Sequence, residues 1–321
     1  MRNFFRERFY RSAACRHGCL WPAIGLIFLS RLFLGVAAAE PLRLAFPHKI
    51  QYLPMMIHCH DGSEKISPVV GTGGIDAAEA LLAGAADVGA MGDVPALILL
   101  SRNSRFQVVC AFMQSPSMHR LVARVGLDSL TDLYGKRLAV HHGSSTHGAL
   151  LAHCAEKQVE IGRISLVPLS PVNFPEALLN GAVDAIAGSE PWPQNVLDRV
   201  PQSLEVATLT VRGNQFPHLL VADRDFMAAQ ASDLAALLGG LKLANQLINE
   251  KPLVAAEIAA RFTNRAPAVE AATLARLHYG LDFSPAVSES LAVTAEFLQR
   301  QRKIKRLPAL AAMQPLIGLR P

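Results

Sequence analysis

Short apolar runs alternate with alanine- and leucine-rich stretches along most of the chain. The runs predict strands over 42–46, 66–70, 138–142 and 164–168, and the stretches between them show the apolar spacing of helices. Strands that alternate with helices predict parallel sheets with helices on both faces. The ligands of such sheets bind beyond the carboxyl ends of the strands. The pattern therefore predicts an α/β fold with its site at those strand ends.

One segment of this pattern occurs twice. Residues 79–87 (EALLAGAAD) return as residues 176–184 (EALLNGAVD), and each copy leads through an apolar strand to a loop that carries an acid. The flanking strands align as well, so two homologous β-loop-α-β-α-β units are predicted, and two such units facing each other would form a cleft. The alternative is that alanine-rich helices resemble one another by composition alone. The shared glycine and aspartate positions favour duplication.

The first 39 residues differ from the rest. Five arginines precede an apolar run over 20–29, and the segment ends in small residues over 36–39. This order is typical of a signal peptide. We expect cleavage between Ala39 and Glu40 and a periplasmic mature protein. The alternative is a retained membrane anchor, since residues 20–39 approach the length that spans a bilayer.

The charge balance depends on this segment. The whole chain carries a formal charge of +5, but removal of residues 1–39 leaves equal numbers of basic and acidic side chains. The basic character therefore belongs to the export signal, and no nucleic-acid partner is indicated. Cys59, Cys110 and Cys154 remain, an odd number, and the sequence leaves open whether any two form a disulfide.

Four further segments carry a resemblance to a known family: GDVPA at 92–96, DLYGKRLAV at 132–140, GSST at 143–146, and 181–192 from GAVDAI to EPW. In the order and spacing of these segments, the part of the chain from residue 42 to about 298 resembles the periplasmic binding proteins of nitrate, sulfonate and taurine ABC importers. These are related to thiamine-pyrimidine receptors. The resemblance implies the two-lobed type II periplasmic binding protein fold, with a mostly parallel sheet flanked by helices in each lobe and a ligand cleft between the lobes. It places lobe 1 at 40–117 plus 217–321 and lobe 2 at 118–216.

The function that the resemblance implies is capture of a small organic anion or zwitterion, such as a sulfonate, taurine or nitrate. Delivery to an inner-membrane permease with a cytoplasmic ATPase would follow. We expect a monomer without a cofactor. The alternative is a periplasmic sensor or accessory protein that uses the same cleft to signal to a membrane receptor. An enzyme is not expected, because no catalytic motif occurs and the cysteine-rich motif of the enzymatic thiamine-pyrimidine branch is missing. No metal site is expected either, since His58 and His60 would point apart on a helix.

The candidate anion site follows the strand predicted over 138–142. Gly143, Ser144, Ser145 and Thr146 begin a helix there, so free N–H groups and three hydroxyls converge. The alternative is an ordinary helix cap without a ligand. Among the nearby histidines only His147 is a candidate contact.

The other candidates lie at equivalent strand ends. Thr72 and Gly73 permit close approach of the backbone to a ligand or form a plain turn. Gly92 precedes Asp93, for which a structural capping role is favoured. Glu190, at the equivalent place in the second unit, either binds a ligand amine or is structural. The candidates in the first unit are thus Thr72, Gly73, Gly92 and Asp93. Those in the second also include Glu190 and Trp192. Trp192 forms either a wall of the cleft or part of the core.

Overall fold

Strands and helices alternate through the part of the chain that the computed structural model describes, residues 40–60, 65–282 and 284–309. The predicted signal peptide lies outside these residues. The strands are β1 (Leu42–Pro47), β2 (Ile66–Gly71), β3 (Val88–Gly92), β4 (Phe106–Gln114), β5 (His119–Arg124), β6 (Arg137–Val140), β7 (Ser165–Pro168), β8 (Ala185–Ser189), β9 (Ser203–Thr208), β10 (His218–Asp223) and β11 (His278–Asp282). The helices are α1 (Leu53–His60), α2 (Gly74–Leu82), α3 (Asp93–Arg102), α4 (Ser145–Glu156), α5 (Phe174–Leu179), α6 (Trp192–Arg199), α7 (Arg224–Ala229), α8 (Ala231–Glu250), α9 (Pro252–Thr263), α10 (Pro267–Leu274) and α11 (Pro285–Arg300).

These strands form two sheets. The first has the order β11-β4-β10-β3-β1-β2 and the second the order β7-β6-β8-β5-β9. Each contains a parallel group of three, with β1 between β2 and β3 and with β6 between β7 and β8. Strands β10 and β5 run antiparallel to their neighbours, and β4 and β9 beyond them regain the direction of the parallel group. Most strands of each sheet therefore point the same way.

The chain passes between the sheets twice, after β4 and after β9. The two linking segments lie side by side, because the Ser115 N–H donates to the Gln215 carbonyl at 2.9 Å. The first sheet thus takes its strands from both ends of the described chain and the second from its middle. The predicted lobe boundaries fall within these two links and remain a prediction.

The duplicated segment forms the same turn in both units. Arg43 on β1 makes an ion pair with Asp87 at 2.6 Å, and Arg137 on β6 makes one with Asp184 at 3.1 Å. Each arginine also donates to the carbonyl of a glycine, which lies between its aspartate and the helix before that aspartate. Those glycines have φ angles of 67° and 77°, in the left-handed region where a side chain would be strained. The shared glycine and aspartate positions are therefore explained by one repeated helix-to-strand turn. The glycines are Gly84 and Gly181.

Buried apolar side chains cover both faces of the sheets. One face of the first sheet packs against α1 and α8 through residues such as Phe46 and Leu241. Its other face packs against α2, α3 and α11 through residues such as Leu97 and Leu291. A separate cluster around Phe174 joins the second sheet to α5 and α6. These layers hold the carboxyl ends of the parallel strands in fixed positions.

None of the helices in the described residues is both long and apolar enough to span a bilayer. The three cysteines there, Cys59, Cys110 and Cys154, are free thiols. Within the same ranges, no three side chains of His, Cys, Asp or Glu come together as metal ligands would.

Candidate functional site

Three helices begin around one cavity between the two sheets. Helices α2 and α3 follow β2 and β3 of the first sheet, and α4 follows β6 of the second. Each helix starts at the carboxyl end of a parallel strand, as the α/β pattern predicts. The cavity has a volume of about 50 Å³, several times the space that one water molecule needs. The first turns of all three helices contribute to its wall.

Five of the residues predicted from the sequence line this cavity: Gly73, Gly92, Ser144, Ser145 and Thr146. Ser144 is the N-cap of α4, because its Oγ accepts from the His147 N–H at 3.2 Å. Ser145 and Thr146 occupy the first turn, where N–H groups have no partner within the helix. Ser144 therefore caps the helix, and Ser145 and Thr146 lie in the cavity wall; that this loop binds a ligand stays a prediction.

Thr72 lies beside the cavity without lining it. Its N–H and Oγ1 both bond to Oδ2 of Asp76, at 2.6 and 2.8 Å, and the Gly73 N–H bonds to the same oxygen at 3.3 Å. The donors of this loop are thus committed to a carboxylate of their own helix. Gly73 still forms part of the cavity wall.

Asp93 is buried in the first turn of α3. Its Oδ1 accepts from the Val94 N–H at 2.8 Å, and Thr294 donates to its Oδ2 at 3.1 Å. Burial raises the pKa of the carboxyl, against hydrogen bonds from Ser145 and others that lower it. The N-cap of α3 is Gly92, so Asp93 does not take the capping position expected from the sequence. Its contacts tie α3 to α11 instead, and a ligand contact stays a prediction.

His147 and Gly143 contact each other instead of the cavity. The Gly143 N–H donates to Nδ1 of His147 at 3.2 Å, and the His147 ring stacks on His142 with the centroids 4.6 Å apart. Burial, together with smaller effects of the neighbouring His142 and Lys303, lowers the pKa of His147 to about 4. The imidazole is therefore neutral near pH 7 and supports the loop.

Glu190 is held by an arginine. Its Oε1 lies 2.7 Å from Nε of Arg120, and the two side chains are 1% and 2% exposed. Arg120 also pairs with Glu205 at 2.7 Å, so the guanidinium joins two strands of the second sheet. The residue that lines the cavity here is the preceding Ser189. Trp192 is partly buried against the apolar cluster of the second sheet, which favours the core interpretation.

The sequence interpretation missed ten of the lining residues, among them Lys49, Gln51, His119, His141 and His218. The side chain of Lys49 is half-buried, and burial lowers its pKa to about 8 while Asp76 raises it. Lys49 follows the first strand, so the strand-end rule applied to β1 would have indicated it. His119 and His218 lie where the links re-enter the sheets, and no motif marks them.

His119 and His218 are buried and neutral. Burial lowers the pKa of each imidazole to about 3. Nδ1 of His119 lies 2.9 Å from Oγ1 of Thr146, which ties β5 to the first turn of α4. Nε2 of His119 and Nδ1 of His218 are buried without a hydrogen-bond partner. Each ring therefore retains an unused polar atom at the cavity.

The two sheets meet closely at the edge of the cavity. The backbone of Gly92 passes so near Ser145 that a Cβ added to the glycine would lie 2.3 Å from Oγ. The same hydroxyl lies 3.5 Å from the Val94 N–H. Helices α3 and α4, one from each sheet, therefore touch end to end beside the cavity.

The electrostatic character of the cavity is positive. Among its described lining residues, Lys49 carries the only formal charge and no carboxylate is present. The N-terminus of α4, which has no acidic residue in its first turn, adds a partial positive charge of roughly half a unit, whereas Asp76 and Asp93 offset the N-termini of α2 and α3. This arrangement favours an anion.

Comparison with known proteins agrees with this geometry. Residues 58–255 match the protein family described as NMT1/THI5 like. A putative binding protein of Brucella abortus (strain 2308) is 23% identical over 186 residues, 57% of each chain. The taurine-binding periplasmic protein of Escherichia coli (strain K12) is 28% identical over 111 residues, 35% of each chain. The chain thus spans a little over half the length of the first relative and about a third of the second.

Solved structures share the fold over most of the chain. The alkanesulfonate-binding protein SsuA of Xanthomonas axonopodis pv. citri, solved with MOPS bound, superimposes with a TM-score of 0.75 at 24% identity, over 87% of this chain and 100% of that one. The periplasmic aliphatic sulphonate binding protein SsuA of Escherichia coli gives 0.73 at 21% identity, over 88% and 95%. The predicted α/β binding-protein fold is confirmed.

Proposed function

This chain belongs to the NMT1/THI5-like family, and we propose that it is the solute-binding component of an ABC importer that captures a small organic anion. The observation that carries this proposal is the cavity between the two sheets. Helix N-termini from both sheets form its wall, one lysine adds a charge, and no described carboxylate lines it. The relatives named above are binding proteins, and their names refer to taurine and alkanesulfonate ligands.

Binding is coupled to closure of the cleft in this proposal. A ligand held by α2 and α3 on one side and by α4 on the other stabilises the state in which the sheets are close. The two links between the sheets, at 115–118 and 209–217, are where a hinge would bend. An inner-membrane permease with its cytoplasmic ATPase would then recognise the closed form and accept the ligand.

The remaining parts of the proposal follow from the sequence. The chain is exported, cut between Ala39 and Glu40, and acts in the periplasm as a monomer with lobes at 40–117 plus 217–321 and at 118–216. It performs no chemistry on its ligand. The cavity supports this view because its two buried histidines are not paired with a carboxylate or a nucleophilic thiol among its described lining residues. Sensing through a membrane receptor would use the same cleft.

A ligand screen tests the proposal. The mature chain from Glu40 is incubated with small sulfonates, carboxylates, nitrate, amines and pyrimidines, and its thermal unfolding is followed. We expect an anion to raise the unfolding temperature, as any ligand that binds only the folded state does. The ligand should be recovered unchanged, and X-ray scattering should show a smaller radius with it bound. Stabilisation by amines alone, or turnover of the ligand, would contradict the proposal.

A further inference from the structure

The chemistry of the ligand's second group can be inferred from one oriented amide in the cavity wall, given that the proposed anion-binding function holds. Gln51 lines the cavity and is 1% exposed. Its Nε2 donates to the main-chain carbonyl of Glu190. A carbonyl oxygen only accepts hydrogen bonds, so the amide cannot be turned around. The orientation of Gln51 is therefore fixed by the second sheet.

The other end of this amide has no partner. Oε1 of Gln51 is buried and accepts no hydrogen bond in the structure. A buried acceptor that loses its water without gaining a donor costs about 1–3 kcal/mol. A ligand that reaches this part of the cavity wall therefore gains affinity by supplying a donor to this oxygen.

The donor is uncharged. An ammonium group needs a carboxylate nearby to offset the loss of its water, and none of the described residues that line the cavity carries one. The carboxylates next to the lining are already engaged within the protein. Asp76 accepts from Thr72 and Gly73, Asp93 accepts from Val94 and Thr294, and Glu190 is paired with Arg120 at 2.7 Å. Lys49 and the N-terminus of α4 also repel a cation.

The buried histidines can act either as hydrogen-bond donors or as acceptors toward a ligand. A neutral imidazole donates from one nitrogen and accepts at the other, so Nε2 of His119 and Nδ1 of His218 can pair with either kind of ligand atom. Their unpaired nitrogens show that polar partners are missing from the cavity wall. The unpaired Oε1 of Gln51 shows that one of the missing partners is a hydrogen-bond donor.

We propose that the ligand is a small anion that also carries a neutral hydrogen-bond donor, a hydroxyl or an amide N–H, and that Gln51 selects for this donor. Such a molecule places its anionic group at the first turn of α4 and near Lys49. Its donor reaches Oε1 of Gln51. Plain alkyl anions leave this oxygen unpaired, and ammonium-bearing zwitterions lack a counter-charge.

Two matched series of ligands test the inference by calorimetry. The first is ethanesulfonate, 2-hydroxyethanesulfonate and 2-aminoethanesulfonate, and the second is propionate, 3-hydroxypropionate and 3-aminopropionate. Within a series the anionic head is constant and the far end is a methyl, a hydroxyl or an ammonium group. In at least one series we expect the hydroxyl member to bind about tenfold or more tightly than the methyl and ammonium members.

Variants of two glutamines separate this role from a structural one. Gln51→Met removes the acceptor at similar volume, so the preference for hydroxyl over methyl should fall to about onefold while the methyl member still binds. Gln202→Met, at an exposed position away from the cavity, should retain the preference.

The possible outcomes are distinguishable. If the methyl or the ammonium member binds as tightly as the hydroxyl member in the wild-type protein, the inference is wrong and the anion-binding proposal stands. A preference that persists in Gln51→Met assigns the selection to another residue and likewise overturns it. If no member of either series binds, the anion-binding proposal fails, and this inference with it.

Discussion

Replacement of Gly92 by alanine should weaken ligand binding without unfolding the protein. The added Cβ would lie 2.3 Å from Oγ of Ser145, whereas non-bonded atoms need about 3.5 Å. The ends of α3 and α4 must therefore separate by about 1 Å. Ser145 cannot easily turn away, because its hydroxyl bonds to Asp93 and lies near the Val94 N–H.

The magnitude follows from the cost of overpacking. Inserting a methyl group into a close contact costs about 1–3 kcal/mol, which corresponds to a loss of affinity of about 5- to 150-fold. If the cleft opens without ligand, the cost falls on the closed state alone. The unfolding temperature of the ligand-free protein should then change little.

Calorimetry with the best ligand from the screen measures this loss, and a double-mutant cycle identifies its cause. In a Ser145→Ala background the new Cβ would meet the Cβ at position 145 at 3.4 Å and Cε1 of His218 at 3.7 Å, both ordinary contact distances, so Gly92→Ala should cost much less there. Gly239→Ala in α8, where a Cβ meets nothing within 4 Å, is the control and should bind like wild type. An equal loss in the serine and alanine backgrounds would refute the proposed contact.

Four further predictions concern the charges and hydrogen bonds at the site. Thr146→Ala should lower affinity for the anion about tenfold, measured by calorimetry, and should also cost about 1–3 kcal/mol of stability because it removes the partner of Nδ1 of buried His119. Because burial lowers the pKa of Lys49 to about 8, affinity for the anion should fall as pH rises from 7 to 9, and Lys49→Arg should remove this fall. The nearby His141 and His218 are already neutral in this pH range, so a flat wild-type profile would contradict the role of Lys49. Glu190→Gln should lower the free energy of unfolding by about 3 kcal/mol because it leaves Arg120 underpaired, and a loss of affinity without this destabilisation would instead support an amine site. The pKa values of about 3 for His119 and His218 mean that the unfolded chain binds more protons below pH 6.5, so stability should fall between pH 6.5 and pH 3, and less steeply in His119→Gln.

Much of the fold was predictable because the periodicity of apolar residues and the glycines that end helices act on local structure. The strands predicted over 42–46 and 66–70 appear as β1 and β2, and the repeated glycine and aspartate appear as one helix-to-strand turn made twice. Strand ends of a parallel sheet meet at one edge, so the amino-acid pattern was enough to assign Ser144–Thr146 to a cavity. These inferences need only the neighbours of each residue in the chain.

The rest of the site depends on residues far apart in sequence. Glu190 looked free for a ligand because Arg120, its partner, lies seventy positions away on an antiparallel strand. Asp76 is an exception, because it accepts from Thr72 and Gly73 only three or four residues away, a local capping contact that the sequence interpretation overlooked. His119 and His218 come together only because the chain crosses between the sheets twice. Their unusual pKa values arise from burial, which local sequence does not encode.

The positive character of the cavity also bears on how binding and closure are coupled. Lys49 follows β1 of one sheet and α4 follows β6 of the other, so closure in the proposed mechanism would bring the positive end of α4 and Lys49 toward one another. Without an anion these charges repel, and the repulsion grows as water leaves the cleft. A bound anion turns the repulsion into attraction for both sides at once. In the proposed mechanism these charges would therefore favour the open state of the empty protein and the closed state of the loaded one, and we expect an uncharged ligand of equal size not to close it.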